Sequence, residues 1–191
     1  MSNCISADAQ TESDGYVVHP YQEVRVASLP STVADSTSES AVLAASVATA
    51  VMKPDVCCDR RSALEDQVAS ANKASLKELG EKLRGKHYLD SGSPILVADQ
   101  YWSRSSVSAE DIIGSLMAQH PLLMDWNGRL YVLYGAVFDE YKYYSGKSTH
   151  VIRALLLVDA RFSDRRRYVS FNRQTDDWGK VTGLLALAIT R

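Results

Sequence analysis

The chain has 191 residues, of which 46% are hydrophobic and 23% are charged, and its formal net charge is -2. This composition supports one folded domain of moderate size and excludes a chain that is disordered throughout. The small net charge gives no global attraction to nucleic acid or to an anionic membrane, and no apolar run reaches the roughly 18 residues that a membrane span needs. We therefore expect a cytoplasmic protein with no nucleic-acid and no membrane partner.

The first 15 residues are polar and rich in Ser and Asp, and they lack the basic start and apolar stretch of a secretory signal. They are predicted to form a disordered arm ahead of a single domain over residues 16–191. The three cysteines, Cys4, Cys57 and Cys58, are an odd number with two adjacent, which makes a poor disulfide framework. Their spacing offers no zinc site, so we predict no metal and no other cofactor.

The first half of the chain is predicted to be mostly helical. Short strands at 16–18 and 23–27 precede a loop rich in Ser and Thr. Residues 40–52 are small and apolar, which is typical of a helix buried on most of its surface, and Pro54 ends this segment. The spacing of apolar residues between 60 and 84 predicts one or two amphipathic helices.

The second half is predicted to be rich in strands. A short strand over 95–98 is followed by a helix that begins at Ser108, whose side chain would cap an acidic first turn. Further strands are predicted at 122–126, 130–138, 151–158, 167–171 and 182–189. Helices first and strands second is the order of an α+β fold.

One motif in the second half carries a resemblance to a known family. Pro121 begins a strand, which is followed by Gly128 and Arg129, a run of apolar residues, Gly135, a turn, and a strand that ends at Asp159. This order resembles the second half of the papain-like cysteine peptidases, in the bacterial branch related to double-glycine peptidases. The resemblance implies an α+β papain-like fold in which N-terminal helices pack on a C-terminal antiparallel sheet.

The positions that are catalytic in that family are degenerate in this chain. Arg129 stands where the family has its histidine, Asp159 matches the third catalytic position, and Val42 occupies the place of the nucleophile ahead of a matching Ala-Ala-Ser segment. Valine cannot attack a carbonyl, and arginine stays protonated near neutral pH and cannot act as a base. The resemblance therefore implies a pseudopeptidase, in which an ion pair of Arg129 with Asp159 would keep the shape of the inactive site.

Other residues could supply the missing chemistry. Cys57 or Cys58 could be a relocated nucleophile, because the charged residues after them are typical of a helix start that activates a thiol. Two cysteines in a helix–helix connection are the simpler interpretation. His150 could be a base beside Asp159, but nine residues along one strand would put the two side chains on opposite faces unless a bulge intervenes.

Two surface segments are candidates for binding. Tyr141, Tyr143 and Tyr144 belong to a predicted hairpin loop, and exposed tyrosines are common anchors at interfaces. The same tyrosines could instead extend a twisted ribbon and pack on the rim of the core. Arg165 and Arg166 belong to a basic patch that could hold a phosphate or an acidic partner, although a solvated turn is the simpler interpretation.

These features together predict a pseudopeptidase without enzymatic activity that works by binding another protein or a peptide. Two alternatives stay open. One is an active papain-like cysteine peptidase that uses Cys57 or Cys58. The other is a secreted bacterial effector, whose Ser-rich N-terminus would be an export signal that is not a cleavable signal peptide.

Overall fold

The computed structural model describes residues 10–12, 15–27, 46–47, 64, 68, 74–88, 92, 94–161, 166–170 and 178–190. For 10–12 and 166–170 only the backbone is described. The described residues form nine strands and two α-helices with defined bounds: β1 Gln10–Glu12, β2 Tyr16–Arg25, α1 Leu76–Leu83, β3 Gly85–Tyr88, β4 Pro94–Ser103, α2 Ala109–Met117, β5 Leu122–Trp126, β6 Arg129–Tyr143, β7 Ser148–Val158, β8 Arg166–Ser170 and β9 Val181–Thr190.

The nine strands form one antiparallel sheet that is built around β6, which is 15 residues long and therefore spans about 50 Å. One edge of β6 pairs with β5 over 129–133 and then with β2 over 135–143. Its other edge pairs with β7 over 132–142. From β5 the sheet continues through β9 and β4 to β3, while β8 pairs with β7 and β1 pairs with β2.

The two strands that share an edge of β6 meet at Gly135. The pairing of β6 with β7 shifts register between Leu133 and Gly135, and Val26 donates its backbone N–H to the carbonyl of Tyr134 at 2.8 Å. A Cβ at Gly135 would lie 2.8 Å from the carbonyl oxygen of Val24 in β2. Glycine is therefore required where the backbones of β2 and β6 approach each other.

The side chains of the sheet alternate between two faces, and each face carries one described helix. The core on the first face, beneath α1, includes Leu79, Leu83, Val97, Leu123, Val132, Leu185 and Leu187, with Val47, Leu64 and Val68. The core on the second face, beneath α2, includes Ile112, Leu116, Leu122, Met124, Tyr131, Leu133, Leu155, Leu157 and Leu184. Successive residues of β5, β6 and β9 thus bury their side chains in opposite cores.

Both helices begin with a capping box. The hydroxyl of Ser108 accepts the N–H of Asp111 at 3.1 Å, and the Asp111 carboxylate accepts the N–H of Ser108 at 2.8 Å. Ser75 and Glu78 make the same pair of bonds at the start of α1. The hydrogen bond from the Ser75 backbone, followed by that from its hydroxyl, holds the pKa of Glu78 below its usual range. The predicted start of a helix at Ser108 is confirmed.

The prediction of an α+β papain-like fold, with N-terminal helices packed on a C-terminal sheet, is wrong. The described residues are mostly one large antiparallel sheet, and α1 and α2 are only 8 and 9 residues long. Strands from the first half belong to that sheet, because β2 supplies hydrogen bonds to the distal half of β6, and β3 and β4 extend the sheet beyond β9.

The strands of the second half are longer than the sequence pattern predicts. β5 has the predicted bounds, but β6 continues to Tyr143 and β7 begins at Ser148, so the predicted hairpin loop is mostly strand. Tyr141 and Tyr143 belong to the strand that extends this ribbon, whereas Tyr144 lies in the turn, and Tyr143 and Tyr144 are exposed. The helix predicted over 40–52 lies outside the described residues except for Ser46 and Val47, which are helical and buried.

Candidate binding surface

Seven large hydrophobic side chains of the described residues are exposed, and they form two groups. The first group belongs to β2, β6, β7 and the β6–β7 turn, and the second to α2, β3 and β4. The first is Tyr21, Tyr143, Tyr144 and Val151, and the second is Tyr88, Leu96 and Met117. Groups of exposed apolar side chains mark candidate interaction sites.

Strand register places most of the first group on one face of the sheet. Residues that pair directly across an antiparallel ladder point to the same side. Tyr143 pairs with Tyr16, and Asp139 pairs with Val151, while Tyr141 lies between them on β6. We use the name tyrosine face for the set Tyr16, Tyr21, Asp139, Tyr141, Tyr143, Val151 and Arg153.

The aromatic rings of the tyrosine face hold one another in position. The ring of Tyr16 lies 5.5 Å from that of Tyr141 and 5.5 Å from that of Tyr143, with tilts of 56° and 57°. Tilted aromatic pairs at this distance contribute about 0.5–1.5 kcal/mol beyond the area that they bury. Because these rings are ordered before any partner arrives, binding through them loses less side-chain entropy.

An ion pair lies beside the rings. Arg153 donates from Nε to Oδ2 of Asp139 at 2.8 Å, and its Nη2 donates to the same oxygen. The other carboxylate oxygen accepts the backbone N–H of Tyr21 at 3.1 Å. Tyr21 has a φ of 53° and lies at a β-bulge in β2, which leaves its ring 76% exposed.

The ion pair fixes one charge of each sign at this position. Burial by itself would raise the pKa of Asp139, but hydrogen bonds from Arg153 and from the Tyr21 backbone outweigh burial and hold that pKa below its usual range. The hydrogen bond to Asp139 raises the pKa of Arg153 and outweighs the opposing effect of burial. The carboxylate is almost fully buried whereas the guanidinium is half exposed. The tyrosine face therefore presents a fixed cation among tyrosines.

Tyr141 and Tyr143, which the sequence predicts as binding residues, lie on the tyrosine face. Tyr144 lies beside it in the β6–β7 turn, where its backbone N–H donates to the carbonyl of Gly15 at 3.1 Å and its side chain is 69% exposed. Sequence reasoning missed five members: Tyr16, Tyr21, Asp139, Val151 and Arg153. The alternation of polar and apolar residues in β2 could have indicated Tyr16, but only the register across three strands brings the five together.

The structure describes two of the three positions that match the papain-like motif, Arg129 and Asp159. Arg129 is exposed at the start of β6, opposite Trp126. Asp159 is buried just after β7 and accepts hydrogen bonds from Nε and Nη2 of Arg161, both at 2.7 Å. The hydrogen bond to Asp159 raises the pKa of Arg161, whose guanidinium also lies 5.9 Å from the centre of the Tyr131 ring. Asp159 therefore ties the end of β7 to the turn that follows.

His150 is not close to Asp159. Nine residues of extended chain separate them, which is about 30 Å. The His150 ring contacts the edge of Phe138 at 5.2 Å, and its backbone N–H donates to Glu110 of α2 at 3.2 Å. This histidine thus faces α2.

Several predicted site residues lie outside the described part of the chain: Val42, Cys57, Cys58 and Arg165. The backbone of Arg166 belongs to β8, opposite Val158. Among the described residues, no group of His, Cys, Asp and Glu is arranged to hold a metal ion. Within the same residues, no helix has the length and apolar character to cross a membrane.

Comparison of the chain with family models, with curated proteins and with solved structures gave no match.

Proposed function

We propose that this chain is a non-catalytic protein-binding domain whose partner docks on the tyrosine face. The observation that carries the proposal is the exposure of Tyr21, Tyr143 and Val151 on one sheet surface around a fixed Arg153. Tyrosine and arginine are enriched among the residues that dominate binding energy at protein interfaces. Their large area and few rotamers favour a partner with a matching apolar centre.

The chemistry of the surface indicates the kind of partner. Tyrosine hydroxyls can donate hydrogen bonds, and Arg153 has donors that Asp139 does not occupy, because its guanidinium is half exposed. The partner is therefore a folded protein with an apolar centre and with carboxylate or carbonyl acceptors at the rim of its contact surface.

The buried carboxylate of the tyrosine face has a structural partner, which supports a binding role over a catalytic one. Asp139 is held by Arg153, and Asp159, beyond the opposite end of β7, is held by Arg161. A carboxylate that accepts charge-assisted hydrogen bonds is a weak general base, because its pKa lies far below neutral pH.

A crosslinking experiment tests the proposal. A photo-reactive amino acid replaces Tyr144, which borders the tyrosine face, and in a control replaces Lys77 on α1, which packs on β4 and β9. Proteins crosslinked from the Tyr144 position and not from Lys77 are identified by mass spectrometry and purified. Their Kd is then measured against the wild-type chain, Tyr143→Ala and Lys77→Ala.

We expect Tyr143→Ala to weaken binding of the purified partner about tenfold or more, which corresponds to about 1.4 kcal/mol. Lys77→Ala should leave the Kd unchanged. Two results would show that the tyrosine face is not the binding surface: equal crosslinking from both positions, or a purified partner that binds Tyr143→Ala with the same Kd as the wild-type chain.

A further inference from the structure

A second surface, which shares no residue with the tyrosine face, forms an open groove. It runs between α2 and the strands β4 and β9 and has a cavity volume of about 420 Å³. Its floor is made by Ala98 and Ala188, which pair across the two strands, and by Ala186. Gly114 of α2 forms the facing wall, and Trp102 lines the groove together with these small residues.

The groove exists because α2 does not cover the whole sheet. Ile112 and Leu116 of α2 pack on the core over β5, β6, β7 and β9. The small side chains on the outer parts of β4 and β9 leave the space beside the helix unfilled. Leu96 lies two residues before Ala98 on the same face of β4 and is 52% exposed, so an apolar side chain continues the alanine floor.

Charge is uneven along the groove. Glu110 and Asp111 line it at the start of α2, and the Glu110 side chain is half exposed. Asp111 is occupied by the capping box with Ser108. Oε1 of Glu110 accepts the backbone N–H of His150 and lies 3.7 Å from Nδ1 of the same residue, and the second carboxylate oxygen keeps acceptor capacity. A cationic side chain next to Glu110 would therefore complement the charge of this end.

We propose that this groove binds a short extended segment of another protein, in which a lysine or arginine stands next to an apolar residue. The basic side chain pairs with Glu110, and the apolar side chain lies on the alanine floor beside Trp102. An extended segment fits because the groove is open along its length, whereas small-molecule sites bury most of the ligand surface. This second function is independent of the tyrosine face.

Gly114 is a position where a larger side chain can be introduced to block the groove. It is exposed on α2, and a Cβ added there meets no atom within 4 Å, so the backbone has room for the start of the Gly114→Leu side chain, and leucine is also a better helix former. Ala98→Leu, at an exposed position of the floor, is a second block from a different element. Glu110→Gln removes the charge but keeps an acceptor for the His150 N–H.

The test is a selection of random twelve-residue peptides displayed on phage against the full chain, with Gly114→Leu as the counter-target. Enriched peptides are synthesised with a fluorescent label, and their Kd is measured by anisotropy. We expect peptides with Lys or Arg beside an apolar residue. Their binding should weaken at least tenfold with Gly114→Leu or Ala98→Leu and about two- to fivefold with Glu110→Gln, and stay unchanged with Lys77→Ala.

Three results would overturn the proposal. The first is a selection that enriches no peptide for the wild-type chain over Gly114→Leu. The second is a set of enriched peptides without basic residues. The third is binding that both blocking variants leave intact while their circular dichroism and thermal unfolding match the wild-type chain.

Discussion

Arg153 and Asp139 join β7 to β6 through two hydrogen bonds to one carboxylate oxygen, which leaves the other oxygen for the backbone N–H of Tyr21 in β2. One buried carboxylate thus connects three strands at the tyrosine face. The bulge at Tyr21 takes the backbone N–H of this residue out of the β2–β6 ladder, and Asp139 accepts that N–H instead. The bulge therefore depends on the Asp139 carboxylate.

Asp139→Asn should destabilise the fold by about 1–3 kcal/mol at pH 7, because it removes the charge that Arg153 pairs with. The folded pKa of Asp139 is depressed, so its contribution is present above the unfolded pKa of about 3.9 and is lost as pH falls through the lower folded pKa. Urea unfolding of both proteins from pH 7 to pH 2 should show a gap in the free energy of unfolding that closes below about pH 3.9.

Glu81→Gln on α1 is the control for Asp139→Asn, since Glu81 is an exposed carboxylate and its neutralisation should change stability by less than about 0.5 kcal/mol. A gap that persists undiminished at pH 2 would mean that Asp139 acts through packing and not through its charge.

The ring contacts of Tyr16 predict a coupling that a double-mutant cycle can measure. Tyr16→Ala and Tyr143→Ala should each lower stability, and the coupling energy between them should be about 0.5–1.5 kcal/mol. Tyr144→Ala should cost less than about 0.5 kcal/mol, because its side chain is 69% exposed in the turn. Additive effects at Tyr16 and Tyr143, measured by urea unfolding, would contradict an ordered ring cluster.

The local features of the fold could be predicted from the sequence, and its long-range features could not. The cap at Ser108 and the bounds of β5 follow from residue types and apolar spacing over a few positions. β5 and β2 share one edge of β6. The pairing of β2 with β6 joins residues more than 100 positions apart in the sequence, such as Arg25 and Gly135. No local pattern encodes that pairing, and the same limit led to the wrong fold class.

In the candidate site, too, local features could be predicted and long-range contacts could not. The sequence predicts Tyr141 and Tyr143, because they lie two residues apart in a segment rich in tyrosine. Tyr21 and Arg153 were missed, because each joins the tyrosine face only through Asp139. Pro20 beside Tyr21 gave no indication that the chain would bulge there instead of ending the strand.

The buried pair at the end of β7 predicts a large loss of stability. Asp159→Asn should lower the free energy of unfolding by about 3 kcal/mol, because it leaves the mostly buried guanidinium of Arg161 without its counter-charge. Asp159→Ala with Arg161→Leu should cost at least about 1 kcal/mol less than the sum of the two single variants. Urea unfolding of the wild-type chain, Asp159→Ala, Arg161→Leu and the double variant measures this coupling. Losses of stability that simply add would contradict a coupled ion pair.

Two glycines allow a matched comparison of the same substitution. In Gly135→Ala the new methyl group would lie 2.8 Å from the Val24 carbonyl and 2.8 Å from a methyl group of Leu156, so backbone must move at the junction of β2 and β6. We expect a loss of about 2–3 kcal/mol. Gly114→Ala on α2 meets no atom and should gain about 0.5–1 kcal/mol from helix propensity. Thermal and urea unfolding measure both changes. A tolerated Gly135→Ala would mean that β2 does not approach β6 as closely as the shared edge requires.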